Sequence, residues 1–408
     1  MADRVELTIE RLGHLGEGIA SGPVFVPMSL PGEVVSGVIE GKSLTDVKIV
    51  TPSSARVSPK CRHFKACGGC SLQHAADDFV AEWKVEVVRN ALSAKGLSAE
   101  FLPIQTSTPH SRQRASFSAR RTKKGVLVGF HARASDNIIE LSECMVLTPE
   151  LLNARQTVEK LALIGSSRKG ELSVLVTTSL SGLDFAVTNG KPLDTDMRIS
   201  VAQIAEASQA ARVSWDGEVV VSRHQPEQIM GNAKVVPPPG SFLQATHEGQ
   251  TSLVHAVMKI VDGSEKVVDL FSGCGTFSLP VAAKSLVHAV EGDRAMIEAL
   301  DKAWRRSIGL KGMTFEARDL FRRPLQPDEL NAFSAAIIDP PRAGAEAQIA
   351  TLSKSSIHRI AMVSCNPVTF ARDAKALADN GFEIDWVQVV DQFRWSPHIE
   401  LVASLTRQ

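Results

Sequence analysis

The sequence predicts an α/β protein in three parts: an OB-like β-barrel over residues 1–57, a β-rich central domain over 58–235, and a Rossmann-like sheet over 236–408. Short strand patterns punctuated by glycine fill the first part. Pro237-Pro238-Pro239-Gly240 then marks a boundary that neither a helix nor a central strand tolerates. Beyond it, compact apolar runs alternate with helical patterns, as βαβ units require.

In the first part Val5, Leu7 and Ile9 alternate with polar residues, and Val24–Val26, Val34–Ile39 and Val47–Val50 follow. Gly13, Gly16, Gly18, Pro31-Gly32 and Gly41 supply the turns, and strands this short suit a small barrel. The central part opens on a cysteine-dense stretch, Cys61 to Cys70, and a helix is expected from about Ala75 to Lys95. Strand patterns follow over Gly125–His131, Glu171–Thr178 and Leu183–Val187. A hairpin pairs Arg212–Trp215 with Glu218–Arg223 through Asp216-Gly217, a sequence suited to a type I′ turn. In the last part Lys266–Phe271, Leu286–Glu291, Ala335–Asp339 and Arg359–Ser364 read as strands of a buried parallel sheet.

Composition narrows the function classes. The 408 residues carry 45 Lys+Arg against 45 Asp+Glu with 44% hydrophobic residues, which excludes disorder as the main state. No run of 18 apolar residues occurs, so no bilayer span or membrane partner is expected. Met1 to Gly13 lacks the apolar stretch of a secretion signal, which points to the cytoplasm and reduced thiols. Neutral overall charge hides one local excess: Phe101 to Ser135 has no acid but holds Arg112, Arg114, Arg120, Arg121, Lys123, Lys124 and Arg133. Such a stretch suits a phosphate backbone, or equally a solvated face balanced by acids elsewhere in the fold.

Asp269-Leu270-Phe271-Ser272-Gly273-Cys274-Gly275-Thr276 reads as strand, tight glycine turn and helix start, and Glu291 ends the next strand, where an acid can grip ribose hydroxyls. A dinucleotide loop would have a third glycine where Ser278 stands. The loop instead resembles the S-adenosylmethionine site of Rossmann-like methyltransferases, with Asp319 as a further acid. Cys274 reads as a small residue tolerated in the turn.

Cys61, Cys67 and Cys70, with the distant Cys144, form a three-plus-one set. A [4Fe–4S] cluster suits that spacing best, while a zinc ion or unligated thiols stay open. Cys365 ends a strand just before Asn366-Pro367 forces a turn, at the carboxyl edge of the sheet where ligands bind. It is a candidate nucleophile, with a small buried hydrophobe as the plainer alternative.

Together these residues resemble the RNA uracil-5 methyltransferase family, and within it the branch acting on 23S ribosomal RNA, whose N-terminal part is similar to a TRAM domain. The resemblance runs along essentially the whole chain. It is carried by the glycine loop, Asp339-Pro340-Pro341-Arg342, Ser364-Cys365-Asn366-Pro367 and Pro397-His398-Ile399-Glu400. It implies Cys365 as nucleophile on uracil C6 and Glu400 as base for the C5 proton. It further implies Gln244, Phe271, Thr276, Glu291, Asp319 and Asp339 as contacts to S-adenosylmethionine, Asp339 at the junction with uracil. Cys61, Cys67, Cys70 and Cys144 become ligands of a [4Fe–4S] cluster.

Phe242, Arg112, Arg114, Arg120 and Arg121 are expected to meet RNA, with 23S ribosomal RNA favoured over transfer RNA and the protein a monomer. Transfer-RNA members are expected to lack the barrel and the cluster cysteines. The sequence departs from the family pattern at Arg394-Trp395, where relatives show the first pair of a Pro-His-Thr-Pro-His run. The rivals are an amino-methylating nucleic-acid methyltransferase, which needs no thiol, and a non-catalytic, cluster-bearing RNA binder.

Overall fold

Five short strands close on themselves at the start of the chain: β1 (Val5–Leu12), β2 (Gly18–Ala20), β3 (Val24–Val26), β4 (Val34–Glu40) and β5 (Ser43–Thr51), in the order β1-β2-β3-β5-β4. The closing pair runs Val5 opposite Gly37 to Thr8 opposite Val34. Inward alternation buries Ile9, Ala20, Val24, Val26, Val35 and Leu44, as predicted for an OB-like barrel. The computed structural model describes residues 4–167 and 170–407; Met1–Asp3 of the first predicted part and Gln408 of the last lie outside them. Glu33, fully buried, fastens the barrel to the chain leaving it. Its carboxylate accepts the Leu30 N–H at 2.8 Å, the Ser53 N–H at 3.2 Å and the Arg56 guanidinium at 2.7 Å.

The central part contains α1 (Asp77–Ser93), β6 (Glu100–Thr106), β7 (Arg114–Arg121), β8 (Val126–His131), β9 (Ile138–Glu140), α2 (Pro149–Asn153) and α3 (Arg155–Gly165). β10 (Glu171–Ser179), β11 (Gly182–Thr188), α4 (Thr195–Ala207), β12 (Arg212–Trp215) and β13 (Glu218–Ser222) follow. Seven of its strands form one sheet, β13-β12-β11-β10-β7-β8-β9, in which only the β11–β12 pair is parallel. The predicted hairpin turn is present, with φ +45° at Asp216 and +89° at Gly217. The helices α2 to α4 were not predicted. Thr148 and Asp194 cap α2 and α4, and α3 and α4 bury Phe117, Val174, Phe185 and Trp215 against one face of the sheet.

After the small ladder β14 (Gln228–Met230) and β15 (Ala233–Val235) comes α5 (His247–Ile260). The alternating half is β16 (Lys266–Leu270), α6 (Ser278–Ala282), β17 (Leu286–Glu291), α7 (Arg294–Arg306), β18 (Met313–Ala317), α8 (Pro327–Leu330), β19 (Ala335–Ile338), α9 (Glu346–Leu352), β20 (Arg359–Ser364), α10 (Pro367–Ala378), β21 (Glu383–Asp391) and β22 (Leu401–Thr406). The eight-stranded sheet runs β18-β17-β16-β19-β20-β22-β21-β6. β16 to β20 are mutually parallel and β22 is antiparallel to both neighbours. Apolar layers pack both faces, which is why these strands read as continuous hydrophobic runs. The division at 58–235 needs amending: β6 pairs with β21 from Glu100–Trp386 to Thr106–Asp391, and α1 packs on α10. That stretch of the central part belongs to the C-terminal sheet.

Candidate active site

The order of the parallel strands reverses between β16 and β19, and the carboxyl ends of β16, β17, β19 and β20 open there onto a cavity of about 520 Å³. All the sequence-predicted catalytic and cofactor positions line it: Cys365, Glu400, Gln244, Phe271, Thr276, Glu291, Asp319 and Asp339, together with Phe242.

The glycine turn explains one wall. Phe271, Gly273 and Gly275 all have positive φ, of +64°, +56° and +94°. A Cβ at Gly275 would lie 2.3 Å from Leu300 Cδ1, so packing against α7 demands glycine there. A Cβ at Gly273 would meet nothing within 4 Å, which leaves the backbone open to a ligand. Glu291 is held by the turn itself: one carboxylate oxygen accepts the Gly273 N–H at 3.0 Å, the other the Asp293 N–H at 2.9 Å. Asp319 is ordered likewise by the N–H groups of Phe321 at 3.0 Å and Arg322 at 3.3 Å.

The opposite wall carries the candidate chemistry. Asn366 caps α10 by accepting the Val368 N–H at 3.0 Å, and its amide donates to the Arg342 carbonyl at 2.9 Å, as does the Thr369 hydroxyl at 3.2 Å. These bonds seat the Cys365 turn on the Asp339–Arg342 loop. Cys365 keeps partial solvent access; burial, then the Glu400 and Asp339 carboxyls, push its thiol up to about 11, while Arg342 pulls the other way. Glu400 is 3% exposed, and burial followed by Asp339 raises it to about 8, against the opposing effects of the Gln392 amide and Arg342. Burial, then Glu291, raises Asp339. His398 Nδ1 lies 2.8 Å from the Arg342 guanidinium, which can only donate, so the ring is neutral with its proton on Nε2. Burial and Arg342 hold its pKa down to about 4.

The segment from Asp391 to Glu400 is held from outside the parallel sheet. Lys84 of α1, wholly buried, donates to Asp391 Oδ1 at 2.6 Å and to the carbonyls of Phe393 at 3.1 Å and His398 at 2.9 Å. Trp395 is buried with φ +58°; its indole donates to Asp77 at 2.8 Å, and its carbonyl accepts the N–H groups of Ser71 at 2.8 Å and Leu72 at 3.0 Å. Arg394 bonds Asp77 at 2.5 Å and the Ser107 carbonyl at 3.0 Å. The Arg394-Trp395 departure thus serves as an internal clasp. Sequence reasoning missed Lys84 and Gln392. Lys84 had a signal: it sits on the stripe Val80, Lys84, Val88, Leu92, which α1 buries whole.

The basic stretch lies differently from expectation. Arg114 donates to the carbonyls of Gly240 at 3.2 Å and Ser241 at 2.7 Å, and Arg112 donates to the Arg114 carbonyl at 3.0 Å while lying 5.6 Å over Phe393. Both are partly buried in the cavity's surroundings. Arg120 pairs with Glu171 of the neighbouring strand at 2.7 Å, so an acid absent from the stretch arrives through the sheet. Arg121 is partly exposed, and Lys123 and Lys124 are exposed. Phe242 is 60% exposed at the cavity mouth, with the Arg114 guanidinium 5.7 Å from its ring.

Cys61, Cys67, Cys70 and Cys144, from two distant segments, line a second cavity of about 520 Å³, in which His398 also takes part. Among the described residues no three His, Cys, Asp or Glu side chains converge closely enough to hold a single metal ion. No helix among the described residues is long and apolar enough to cross a membrane.

A switch-point cavity with a glycine turn and acids at successive strand ends is, as a class, a nucleoside-binding site of an open α/β sheet, and the relatives of this chain make it that of a methyltransferase. The family described as tRNA (Uracil-5-)-methyltransferase matches residues 313–408. An uncharacterized RNA methyltransferase of Brucella suis is 41% identical over 98% of both chains. The 23S rRNA (uracil(1939)-C(5))-methyltransferase of Chromohalobacter salexigens is 30% identical over 98% of this chain and 89% of its own. The chain belongs to the RNA uracil-5-methyltransferase family. In fold it is similar to the solved structure of the Pyrococcus abyssi tRNA (uracil-54, C5)-methyltransferase in complex with S-adenosyl-L-homocysteine (TM-score 0.78, 24% identity, 98% and 99% of the two chains). That likeness corrects one expectation. A fold shared over nearly the whole length includes the barrel, so the barrel does not separate ribosomal from transfer-RNA enzymes.

Proposed function

We propose that this methyltransferase acts in the cytoplasm on C5 of a uridine in 23S ribosomal RNA, with Cys365 as nucleophile and Glu400 as base. The observation that carries the chemistry is that both residues line the cavity that also holds the glycine turn, Glu291, Asp319 and Asp339. Support for the ribosomal target is the 23S enzyme matched along almost the whole chain.

Uracil C5 is a weak nucleophile. The Cys365 thiol first gives up its proton to the water that reaches it; the sulfur then bonds to C6, and the C5–C6 π electrons move to C5 and O4 as an enolate. S-adenosylmethionine, when bound, supplies a methyl group on a sulfonium. Glu291 and Asp319 are suited to the ribose and adenine side of that ligand, and Gln244, Phe271, Thr276 and Asp339 to its remainder. After methylation Glu400 takes the C5 proton, the C5–C6 double bond re-forms, and the Cys365 thiolate leaves. Arg342 favours the thiolate during attack. A base must reach C5 inside the pocket, so the nucleotide is turned out of its stack. Phe242 offers it or a neighbour an exposed ring, and Arg121, Lys123 and Lys124 are solvent-accessible cations suited to phosphate.

We infer the cluster from the family resemblance, and its support here is that the four cysteines, from two distant segments, line one cavity. A [4Fe–4S] cluster there would cross-link the 61–70 segment to Cys144, a structural role with no part in methyl transfer.

Incubation with RNA containing 5-fluorouridine and S-adenosylmethionine tests the reading. A denaturation-resistant protein–RNA adduct is expected, because fluorine cannot leave as the proton does, and Cys365→Ala should form none. An adduct in that variant would refute the nucleophile. Mapping 5-methyluridine in a strain lacking the gene decides the target: loss from 23S RNA supports the assignment, and loss from transfer RNA alone replaces it.

A further inference from the structure

Gln392 belongs to no motif of the sequence and lies behind the wall of the site, bonded to two of the residues that line it. It is 2% exposed, and its carboxamide touches three partners. Oε1 accepts the Ala245 N–H at 2.8 Å, while Nε2 lies 2.6 Å from Gln244 Oε1 and 3.2 Å from Glu400 Oε2. A backbone N–H can only donate, which settles which end of the amide faces Ala245. Both N–H bonds are therefore left for Gln244 and Glu400. The neighbourhood is shaped for this. A Cβ on Gly249, in the first turn of α5, would come within 2.7 Å of Gln392 Cβ and 3.1 Å of its Oε1, so glycine keeps the lane open where a helix would otherwise favour alanine.

We propose that Gln392 is a positioning residue that couples the cofactor side of the pocket to the base, one amide fixing Gln244 and Glu400 in a single mutual geometry. The assignment rests on the reading of Glu400 as base. A charge-assisted N–H bond favours the ionised carboxylate, the form that takes a proton. The other ionisable groups acting on Glu400 are Asp339 and Arg342, with Cys365 beside it, and none of them bonds both Gln244 and Glu400. Because the same nitrogen serves both residues, a shift of Gln244 alters the bond to Glu400.

The test is steady-state kinetics against pH with the full-length enzyme and its RNA. Gln392→Met keeps the length and removes the donors. The acidic limb of its rate profile should move about one pH unit to the alkaline side, and its KM for S-adenosylmethionine should rise several-fold. At alkaline pH the 5-fluorouridine adduct should still form. Gly249→Ala, which crowds Gln392 without altering it, should shift the limb the same way and serves alone if the methionine variant does not fold. A lower rate with an unmoved limb in the folded variants overturns the proposal, as does failure of both to fold, which would make Gln392 a core residue only. Absence of any adduct with wild-type enzyme would instead strike the Cys365–Glu400 reading.

Discussion

Replacing Lys84 by methionine keeps the buried stem and removes one ammonium, and the structure lets the cost be worked out. Lys84 is 0% and the Asp391 side chain 2% exposed, so solvent screens neither charge. Without the ammonium, Asp391 retains the Phe393 N–H at 3.1 Å, and the carbonyls of Phe393 and His398 lose a donor. Removing one partner of a buried pair typically costs about 3–5 kcal/mol, because the other charge stays behind uncompensated. For a unit of this size that lowers the melting temperature by about 6–20 °C. Scanning calorimetry of the full chain measures it, in parallel with Lys84→Met/Asp391→Asn, which removes the orphaned charge and should recover part of the loss. A single variant melting within about 2 °C of wild type would refute the reasoning, since the clamp would then hold nothing that the surrounding apolar packing does not.

Glu400→Gln should accumulate a methylated covalent RNA adduct, seen as a slowly migrating band carrying labelled methyl; prompt product release would remove Glu400 from the base role. Glu400 is raised to about 8 and acts ionised, so wild-type turnover should fall steeply as pH drops below that value; a flat profile between pH 6 and 8 contradicts this. The same raised group favours the folded state while protonated, so its contribution is present below its ordinary value of 4.5 and disappears as pH rises through about 8. Anaerobically purified protein should be brown, with absorbance near about 400 nm and iron that Cys70→Ser diminishes; stoichiometric zinc in place of iron would reverse the cluster assignment.

The parts of the fold legible in the sequence are those that local chemistry dictates. Asp216-Gly217 accepts two positive φ values, Gly275 is compelled by Leu300, and Asn366-Pro367 must both turn and cap. What escaped notice depends on distant partners. β6 does not read as a strand, because its partner β21 lies nearly three hundred residues further along the chain. The acid-free stretch reads equally as a phosphate surface or as a face balanced by acids elsewhere, and at Arg120 the balancing acid, Glu171, arrives from β10. Gln392 escaped for the same reason: its neighbours in the chain say nothing of Gln244, Ala245 or Gly249.

These distant contacts have a common address. The parallel strands alone place Cys365, Asp339 and Glu291, residues that follow strand ends and inherit their position from sheet register. Glu400 follows an irregular segment that no register fixes, and a base has to be held far more closely than a loop ordinarily is. Positioning is supplied from three directions: Lys84 gathers Asp391, Phe393 and His398, the Ser71–Leu72 backbone grips Trp395, and Gln392 reaches Ala245. Two of the three come from the region between the barrel and the sheet. The cysteine-bearing segment therefore bears on Glu400 through Ser71 and Leu72, the two residues after Cys70, whose N–H groups hold the Trp395 carbonyl, whatever its sulfurs carry. A methyltransferase sheet cut away from that region would keep Cys365, the proposed nucleophile, in place and lose the geometry of Glu400, the proposed base.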